Sequence, residues 1–487
     1  MSEPRPENAA SAPASSPAPA SSAAAADRIA TVDDDGMVTG GPIDARVHAV
    51  QRITRRVRQY PEFEIGPLEF DDPGIDRRDA ALAAAIDHAV ARRWLTLEAL
   101  LAPRLTRGWD RVEAKVRACL MVGAAQLLFL DRVPEHAAIH ASVELAKRLV
   151  RPKAGGLVNA VLRGIARDRQ ERLDTFDPAS RNQIPLADGG AWRMGTDIFS
   201  ADPIRRTSEQ TSIGMDLVAR WYAAFGHAEA ERLCRHALVD APILVTGLSA
   251  DIARPDDEKP ILQPHAEPGF FVLDAPRETL GAVLRDHRGS RVQDPTSAEP
   301  IAATAEIRPT TILDLCAGKG TKTRQLRTLH PKSQIVATDV DDDRMEVLRA
   351  AMRQDRNTRV VEYTSLSTSG PDFDLIVLDV PCSNTGVLAR RVEARYRGSD
   401  TLIDGLVSTQ RQIIADAMRV LKPGGHLLYA TCSVEPAENE QQLAWMQKWH
   451  PLEVVRSGWK LPSGLPGESP TDYRDGGGHA LLHHTGG

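Results

Sequence analysis

The sequence predicts a multidomain chain: an all-α N-terminal domain, a small mixed α/β connecting domain and a C-terminal Rossmann-like α/β domain. Its 487 residues exceed what one hydrophobic core organises. In the first half, apolar residues recur at spacings of three and four; in the last third, short apolar runs alternate with helical patterns. The first of those late runs leads into a glycine-rich loop, the sequence form of a ligand-binding βαβ unit.

Composition narrows the classes. Hydrophobic residues at 42% and charged residues at 26% fit an ordinary soluble protein. A net charge of -6 excludes an all-over basic surface and leaves room for a local basic cleft. The five cysteines (119, 234, 316, 382 and 432) form no CxxC pair and no zinc spacing, so no metal site is expected. Scattered cysteines, no signal-peptide pattern and no apolar run near the ~20 residues of a membrane span predict a cytoplasmic protein with no membrane contact.

Residues 1–42 are rich in Ala, Ser and Pro and end near Asp33-Asp34-Asp35. Too little large apolar surface is present to offset ordering entropy, so disorder is expected. A transit peptide is the rival reading, with few arginines to support it. Residues 43–174 form the all-α domain: Val112, Val116, Cys119, Leu120, Gly123 and Leu127 paint one helix face apolar. Pro134 breaks that helix, another begins near His140, and Gly155-Gly156 marks a turn before Leu157–Arg163. The polar stretch 175–205 is expected to be a linker. Within the connecting domain, 206–305, a helix runs from Met215 to Phe225, and Ile243–Thr246 and Phe270–Leu273 are strand-like. The Rossmann-like domain, 306–487, has strands at Ile312–Leu315, Ile335–Thr338, Leu375–Leu378 and His426–Ala430. A helix from Arg411 to Leu421 is expected to stop at Lys422-Pro-Gly-Gly425. This alternation implies a parallel sheet covered by helices on both faces.

Ligands bind beyond the carboxyl ends of such strands. The loop Asp314-Leu-Cys-Ala-Gly-Lys-Gly-Thr-Lys-Thr323 places Gly318 and Gly320 where a missing Cβ lets a ligand approach the backbone. Asp339, at the end of the second strand, can accept ribose hydroxyls. S-adenosylmethionine is the favoured ligand; the loop gives GxG without a third glycine and no GxxxxGK[ST], and ATP or NAD stay open as alternatives.

Cys382, in Asp379-Val-Pro-Cys-Ser-Asn-Thr-Gly386, and Cys432, in Leu428-Tyr-Ala-Thr-Cys-Ser433, each follow a strand-like run. Two strand-end thiols beside a methyl donor have a specific use. One thiolate adds to C6 of a pyrimidine and makes C5 nucleophilic, and a second group assists removal of the C5 proton and release of the first thiol. Asp379, if neutral, can hydrogen-bond the base at N3. Cys119 and Cys234 read as core residues, and Cys316 as a packing or backbone-contact residue. Arg390, Arg391, Arg395 and Arg397, with Arg55, Arg56 and Arg58, are candidate phosphate contacts, against the reading of a solvated charged face.

These residues resemble the RsmB (Sun/Fmu) family of 16S ribosomal RNA cytosine-5 methyltransferases, which carry a NusB-like N-terminal domain. The likeness covers most of residues 44–487 and rests on Pro-Cys-Ser-x-Thr-Gly-Val-Leu at 381–388, Ala-Thr-Cys-Ser-Val at 430–434 with Glu438-Asn-Glu440, and Val292-Gln-Asp-Pro-Thr-Ser297. In the helical domain, Met121-Val-Gly, Val133-Pro-Glu-His-Ala137 and Gly156–Arg163 look like the NusB-type RNA-binding module. The resemblance implies Cys432 as nucleophile, Cys382 as the thiol that aids release, Asp379 as the acid at the base and cofactor, and Lys322 near the transferred methyl. It also implies that Cys316, Ala317, Gly318, Lys319, Gly320, Thr321 and Lys322 wrap the methionine end, with Asp339 on the ribose. The chain departs from the family loop Cys-Ala-Ala-Pro-Gly-Gly-Lys-Thr, with Lys319 in place of a proline. Val361-Glu-Tyr-Thr364 stands where an adenine-contacting acid is expected, and Ala389–Tyr396 lacks the usual proline-aspartate pattern. The expected protein is a monomeric S-adenosylmethionine-dependent cytosine-C5 methyltransferase acting on small-subunit ribosomal RNA. The alternatives are a non-catalytic RNA-binding or assembly factor that retains the fold, and a DNA cytosine methyltransferase.

Overall fold

The computed structural model describes residues 45–63, 77–248, 261–287, 289–366 and 372–486, plus the backbone of a short antiparallel pair, β1 (Thr31–Val32) and β2 (Val38–Thr39). Apart from that pair, the expectation of disorder over 1–42 lies outside the described residues. Among the described residues no helix is long and apolar enough to cross a membrane.

Six helices come first: α1 (Ala45–Gln59), α2 (Arg77–Arg92), α3 (Trp94–Leu101), α4 (Ala114–Phe129), α5 (Glu135–Leu149) and α6 (Ala154–Asp168). The sequence pattern suggests a single apolar face on α4, but every residue from Ala118 to Leu128 is buried. This helix is the axis of the bundle, wrapped on all sides. A Cβ at Gly123 would lie 2.4 Å from Leu162 Cδ1 and 2.9 Å from Ser142 Oγ, so glycine is what lets α5 and α6 close on it. The helix expected near His140 starts at Glu135, directly after Pro134. Gly155 and Gly156 are not a turn; they open α6, where a Cβ at 155 would meet Lys147 Cγ at 2.7 Å. Close helix approach, not backbone freedom, explains Gly155.

The expected linker at 175–205 is folded. Strands β3 (Arg169–Leu173), β4 (Gln183–Pro185) and β5 (Ala191–Met194) form an antiparallel sheet in the order β3-β5-β4. Ile184, Ala191 and Met194 are buried, and Gly189 (φ +89°) makes the turn. Strands this short carry too little alternation to be read against their polar neighbours.

Next come α7 (Pro203–Thr211), α8 (Met215–Phe225) and α9 (His227–His236). Strands β6 (Leu244–Thr246), β7 (Leu262–Pro264), β8 (Phe270–Leu273) and β9 (Arg291–Val292) form an antiparallel sheet in the order β7-β8-β6-β9. Helix α10 (Leu280–Asp286) precedes β9, and α11 (Pro295–Ala302) follows it, capped by Asp294, which accepts from Thr296 N.

The last unit holds β10 (Thr311–Asp314), α12 (Thr321–Leu329), β11 (Gln334–Ala337), α13 (Asp342–Met352), β12 (Thr358–Val360) and β13 (Phe373–Asp379). It continues with α14 (Asp400–Met418), β14 (Leu421–Thr431), α15 (Glu440–Trp449), β15 (Leu452–Lys460) and β16 (Gly477–His484). The sheet order is β12-β11-β10-β13-β14-β16-β15. The parallel sheet expected from the sequence is therefore mixed: β10 to β14 are parallel, while β16 runs antiparallel to both its neighbours. Leu375–Leu378 and Leu427–Ala430 are buried, as strands covered on both faces require. Lys422-Pro-Gly-Gly425 does not end a helix. Helix α14 finishes at Met418, and these residues start β14, where the pairing shifts between Phe373 and Leu375 and tolerates a proline.

Candidate active site

Parallel pairing sets the site. Asp379 of β13 lies opposite Ala430 of β14, so the segments after both strands leave the sheet at the same end. Cys382 and Cys432, fifty residues apart, meet with their Sγ atoms 3.2 Å apart, and both are free thiols. Cys382 is buried and Cys432 partly exposed. The hydrogen bond with Cys432, together with burial, pushes the Cys382 thiol well above its usual range. Gly386 N donates to Cys432 O at 2.9 Å, and Gly476 N to Gly386 O at 2.7 Å, which stitches the two thiol loops to the segment leading into β16.

A buried polar network that the sequence reading did not assign fixes these loops. Glu438 accepts from Ser383 N at 3.0 Å, Ser383 Oγ at 2.5 Å and Gln410 Nε2 at 2.9 Å. Burial raises the Glu438 carboxyl, and those hydrogen bonds offset the rise only in part. Ser383 and Thr385 Oγ atoms each lie 3.1 Å from Ser433 Oγ, so one loop's hydroxyls are satisfied by the other's. The signal available was Glu438 itself, a carboxylate six residues past a strand-end cysteine.

Lys322, on the first turn of α12, donates to Asp379 Oδ2 at 2.7 Å and approaches Ser297 Oγ at 3.4 Å. Burial disfavours its charge, but Asp379 and, further off, Cys432 hold the ammonium above its usual range. Asp379, considered from sequence as a hydrogen-bond partner of the base, has Lys322 as its partner here.

The glycine loop runs from β10 into α12 and is pinned to β11 by Ala317 N to Thr338 O at 2.9 Å. Gly318 (φ +55°) donates its N–H to Asp339 Oδ2 at 2.8 Å, and nothing lies within 4 Å of where its Cβ would be. Gly320 (φ +86°) is tight instead, with Leu348 Cδ1 2.8 Å from an added Cβ. So Gly318 leaves open space on the ligand side, and Gly320 seats the loop on α13. Lys319 and Thr321 are exposed. Cys316 is half-buried, its thiol pushed up by burial and by Asp314, Asp379 and Asp339. Asp339 keeps acceptor capacity beyond its bonds to Gly318 and Asp341 N. An open glycine backbone beside a buried carboxylate, next to a second carboxylate at a strand end, fits a nucleoside with a charged amino-acid tail. Glu362, in the stretch that stands where the family carries an adenine-contacting acid, is paired with Arg349.

The arginine cluster is corrected. Arg395 is fully buried and donates to Leu388 O, Arg92 O and Ala237 O. Arg390 binds Asp475 at 2.7 Å, Arg397 donates to Phe63 O at 2.9 Å, and Arg56 is bidentate to Asp87. Of these seven, Arg55, Arg58, Arg390 and Arg391 are exposed, Arg390 being tied to Asp475. A cavity of about 390 Å³ lined by His265, Lys460, Ser463, Asp472 and Arg474 holds none of the predicted site residues.

Comparison with known proteins follows the same lines. The family model described as 16S rRNA methyltransferase RsmB/F matches residues 304–465, and the NusB family model matches 44–167. The ribosomal RNA small subunit methyltransferase B of Xanthomonas campestris pv. campestris is 32% identical over 387 residues, covering 77% of this chain and 82% of that one. Its counterpart in Escherichia coli strain SMS-3-5 is 29% identical over 452 residues, covering 88% and 96%. The crystal structure of PH0851 superposes with a TM-score of 0.63 at 19% identity, over 90% of this chain and 99% of that one, a likeness of fold.

Proposed function

Because the chain belongs to the RsmB/F family of ribosomal RNA methyltransferases and is an S-adenosylmethionine-dependent enzyme, we propose that it methylates C5 of a cytosine in small-subunit ribosomal RNA through a covalent adduct on Cys432. The observation that carries the mechanism is the 3.2 Å approach of two free thiols at neighbouring strand ends, beside the Lys322–Asp379 pair and the open glycine loop.

A base stacked in a duplex cannot reach these thiols, so the target cytosine enters unpaired or flipped. Cys432, the more exposed thiol, loses its S–H proton to water and bonds to C6, while the C5–C6 π pair moves toward C5. The Lys322 ammonium steadies the anionic sulfur before attack, and Asp379 keeps that ammonium charged and in place. Residues 316–322, Asp339 and Asp379 would hold S-adenosylmethionine, which would supply an electrophilic methyl group for C5. Loss of the C5 proton to solvent then restores the C5–C6 double bond, and the C6–S pair returns to Cys432. Cys382, held protonated, donates its S–H to the departing thiolate.

Covalent trapping tests this. Wild type, Cys382→Ala, Cys432→Ala and the doubly substituted protein are incubated with small-subunit ribosomal RNA and S-adenosylmethionine and run on denaturing gels. An RNA adduct should accumulate in Cys382→Ala and vanish when Cys432 is also replaced. No adduct in any variant, with no methyl transfer by wild type, would hand the case to a non-catalytic RNA-binding factor.

A further inference from the structure

We propose that Asn384 is a positioning residue for Cys432, holding the nucleophile's proton in the resting enzyme. The proposal rests on Cys432 being the nucleophile and says how that thiol is kept in reserve.

Asn384 follows the Cys382 strand end with φ +60° and ψ +23°, one of two non-glycine residues at positive φ among the described residues. Asparagine visits this left-handed region more readily than most side chains, but glycine meets the backbone demand with no side chain at all. A local bond from the amide nitrogen can serve the turn, which leaves the amide oxygen for another partner.

The amide's orientation follows from its partners. Nδ2 donates to Cys382 O at 2.9 Å, and a carbonyl oxygen only accepts, so the NH₂ group must face it. That leaves Oδ1 toward Cys432, whose Sγ donates to it at 3.2 Å. An amide oxygen cannot donate either, so the proton between them belongs to the thiol. A thiolate there would face oxygen lone pairs. The same sulfur is 3.2 Å from Cys382 Sγ and feels the Lys322 ammonium, which favours the anion. Cys432 thus lies between a group that keeps its proton and a group that favours losing it. Entry of the target base alongside the thiols displaces the S–H from Oδ1 and leaves Lys322 in control. An unoccupied site stays weakly reactive toward other electrophiles.

Full-length wild type, Asn384→Gly and Asn384→Asp are alkylated with iodoacetamide between pH 6 and pH 9, and the Cys432 and Cys382 peptides are followed separately by mass spectrometry. Glycine keeps the left-handed turn and removes the acceptor, so Cys432 should be labelled roughly two- to tenfold faster at pH 7, the span of one net hydrogen bond. Aspartate keeps an acceptor, adds a negative charge, and should label Cys432 more slowly than wild type. Opposite signs distinguish proton holding from a loosened loop, which would speed labelling of both cysteines in both variants. Equal rates for wild type and Asn384→Gly across the pH range, or faster labelling in both variants, would overturn the proposal. Methyl transfer that survives complete alkylation of Cys432 would instead remove the nucleophile assignment beneath it.

Discussion

Asp314 ends β10 with no exposed surface, one carboxyl oxygen bonded by Thr323 Oγ1 at 2.7 Å and the other without a partner. Burial pushes it up to about 7, and the Thr323 bond offsets only part of that. A carboxyl raised above its unfolded value of about 3.9 contributes stability that is fully present below pH ~4 and is lost as pH rises through ~7. Asp314→Asn removes the titration and keeps an acceptor for Thr323. In urea titrations, its stability relative to wild type should therefore rise by up to about 4 kcal/mol between pH 4 and pH 8; a gap independent of pH would exclude Asp314 as the responsible group. At this scale the sequence was readable where chemistry follows a local pattern. Two cysteines after apolar runs and a glycine loop after a strand are visible without neighbours. Asn384 is not, because its meaning depends on a thiol 48 residues away, and Asp314 and Glu438 are not, because burial is set by elements that pack later.

The segment between β13 and α14 shows what was illegible at the level of elements. Four arginines in eight residues read as a phosphate-binding strip, yet Arg395 is an interior strut that satisfies three backbone carbonyls. Its burial, and the nearby Arg92, hold its guanidinium well below the usual range. Arg395→Ala strands those carbonyls and should cost about 3–5 kcal/mol by thermal or chemical denaturation. Arg391→Ala, on the exposed side, should leave stability within about 0.5 kcal/mol and weaken RNA binding, with a shallower dependence on salt. If Arg391→Ala left RNA affinity and its salt slope unchanged, the strip would have no part in binding. Sequence alone could not sort these four, since two of the three partners of Arg395 are 158 and 303 residues distant. The stretch 175–205 failed for the opposite reason: its strands are real but too short to show a period.

Across the whole molecule, the same segment joins the two ends of the chain. Tyr396 packs against Phe63 and Tyr60 at centroid distances of 5.3 and 5.9 Å and donates its hydroxyl to Ala91 O at 2.5 Å. Val392 and Tyr396 belong to the hydrophobic core of the helical bundle. The bundle therefore grips the chain that leads out of the Cys382 loop. Tyr396→Ala should cost about 3–5 kcal/mol and separate unfolding of the bundle from that of the catalytic half in calorimetry. A single unsplit transition would show that other contacts carry the coupling. Several domains were legible from length and periodicity, but not that the catalytic half supplies core residues to the bundle.

The position of β16 has a consequence for synthesis. Strand β15 is made first, yet among the described residues its only sheet partner is β16, which inserts between it and β14. On the ribosome β15 must wait, unpaired, until the following residues appear. Those residues include Gly476 and Gly477, which close on Gly386 and the Cys432 backbone. A nascent chain that already carries both cysteines therefore lacks the Gly476 and Gly477 contacts on the thiol loops until the segment leading into β16 is made.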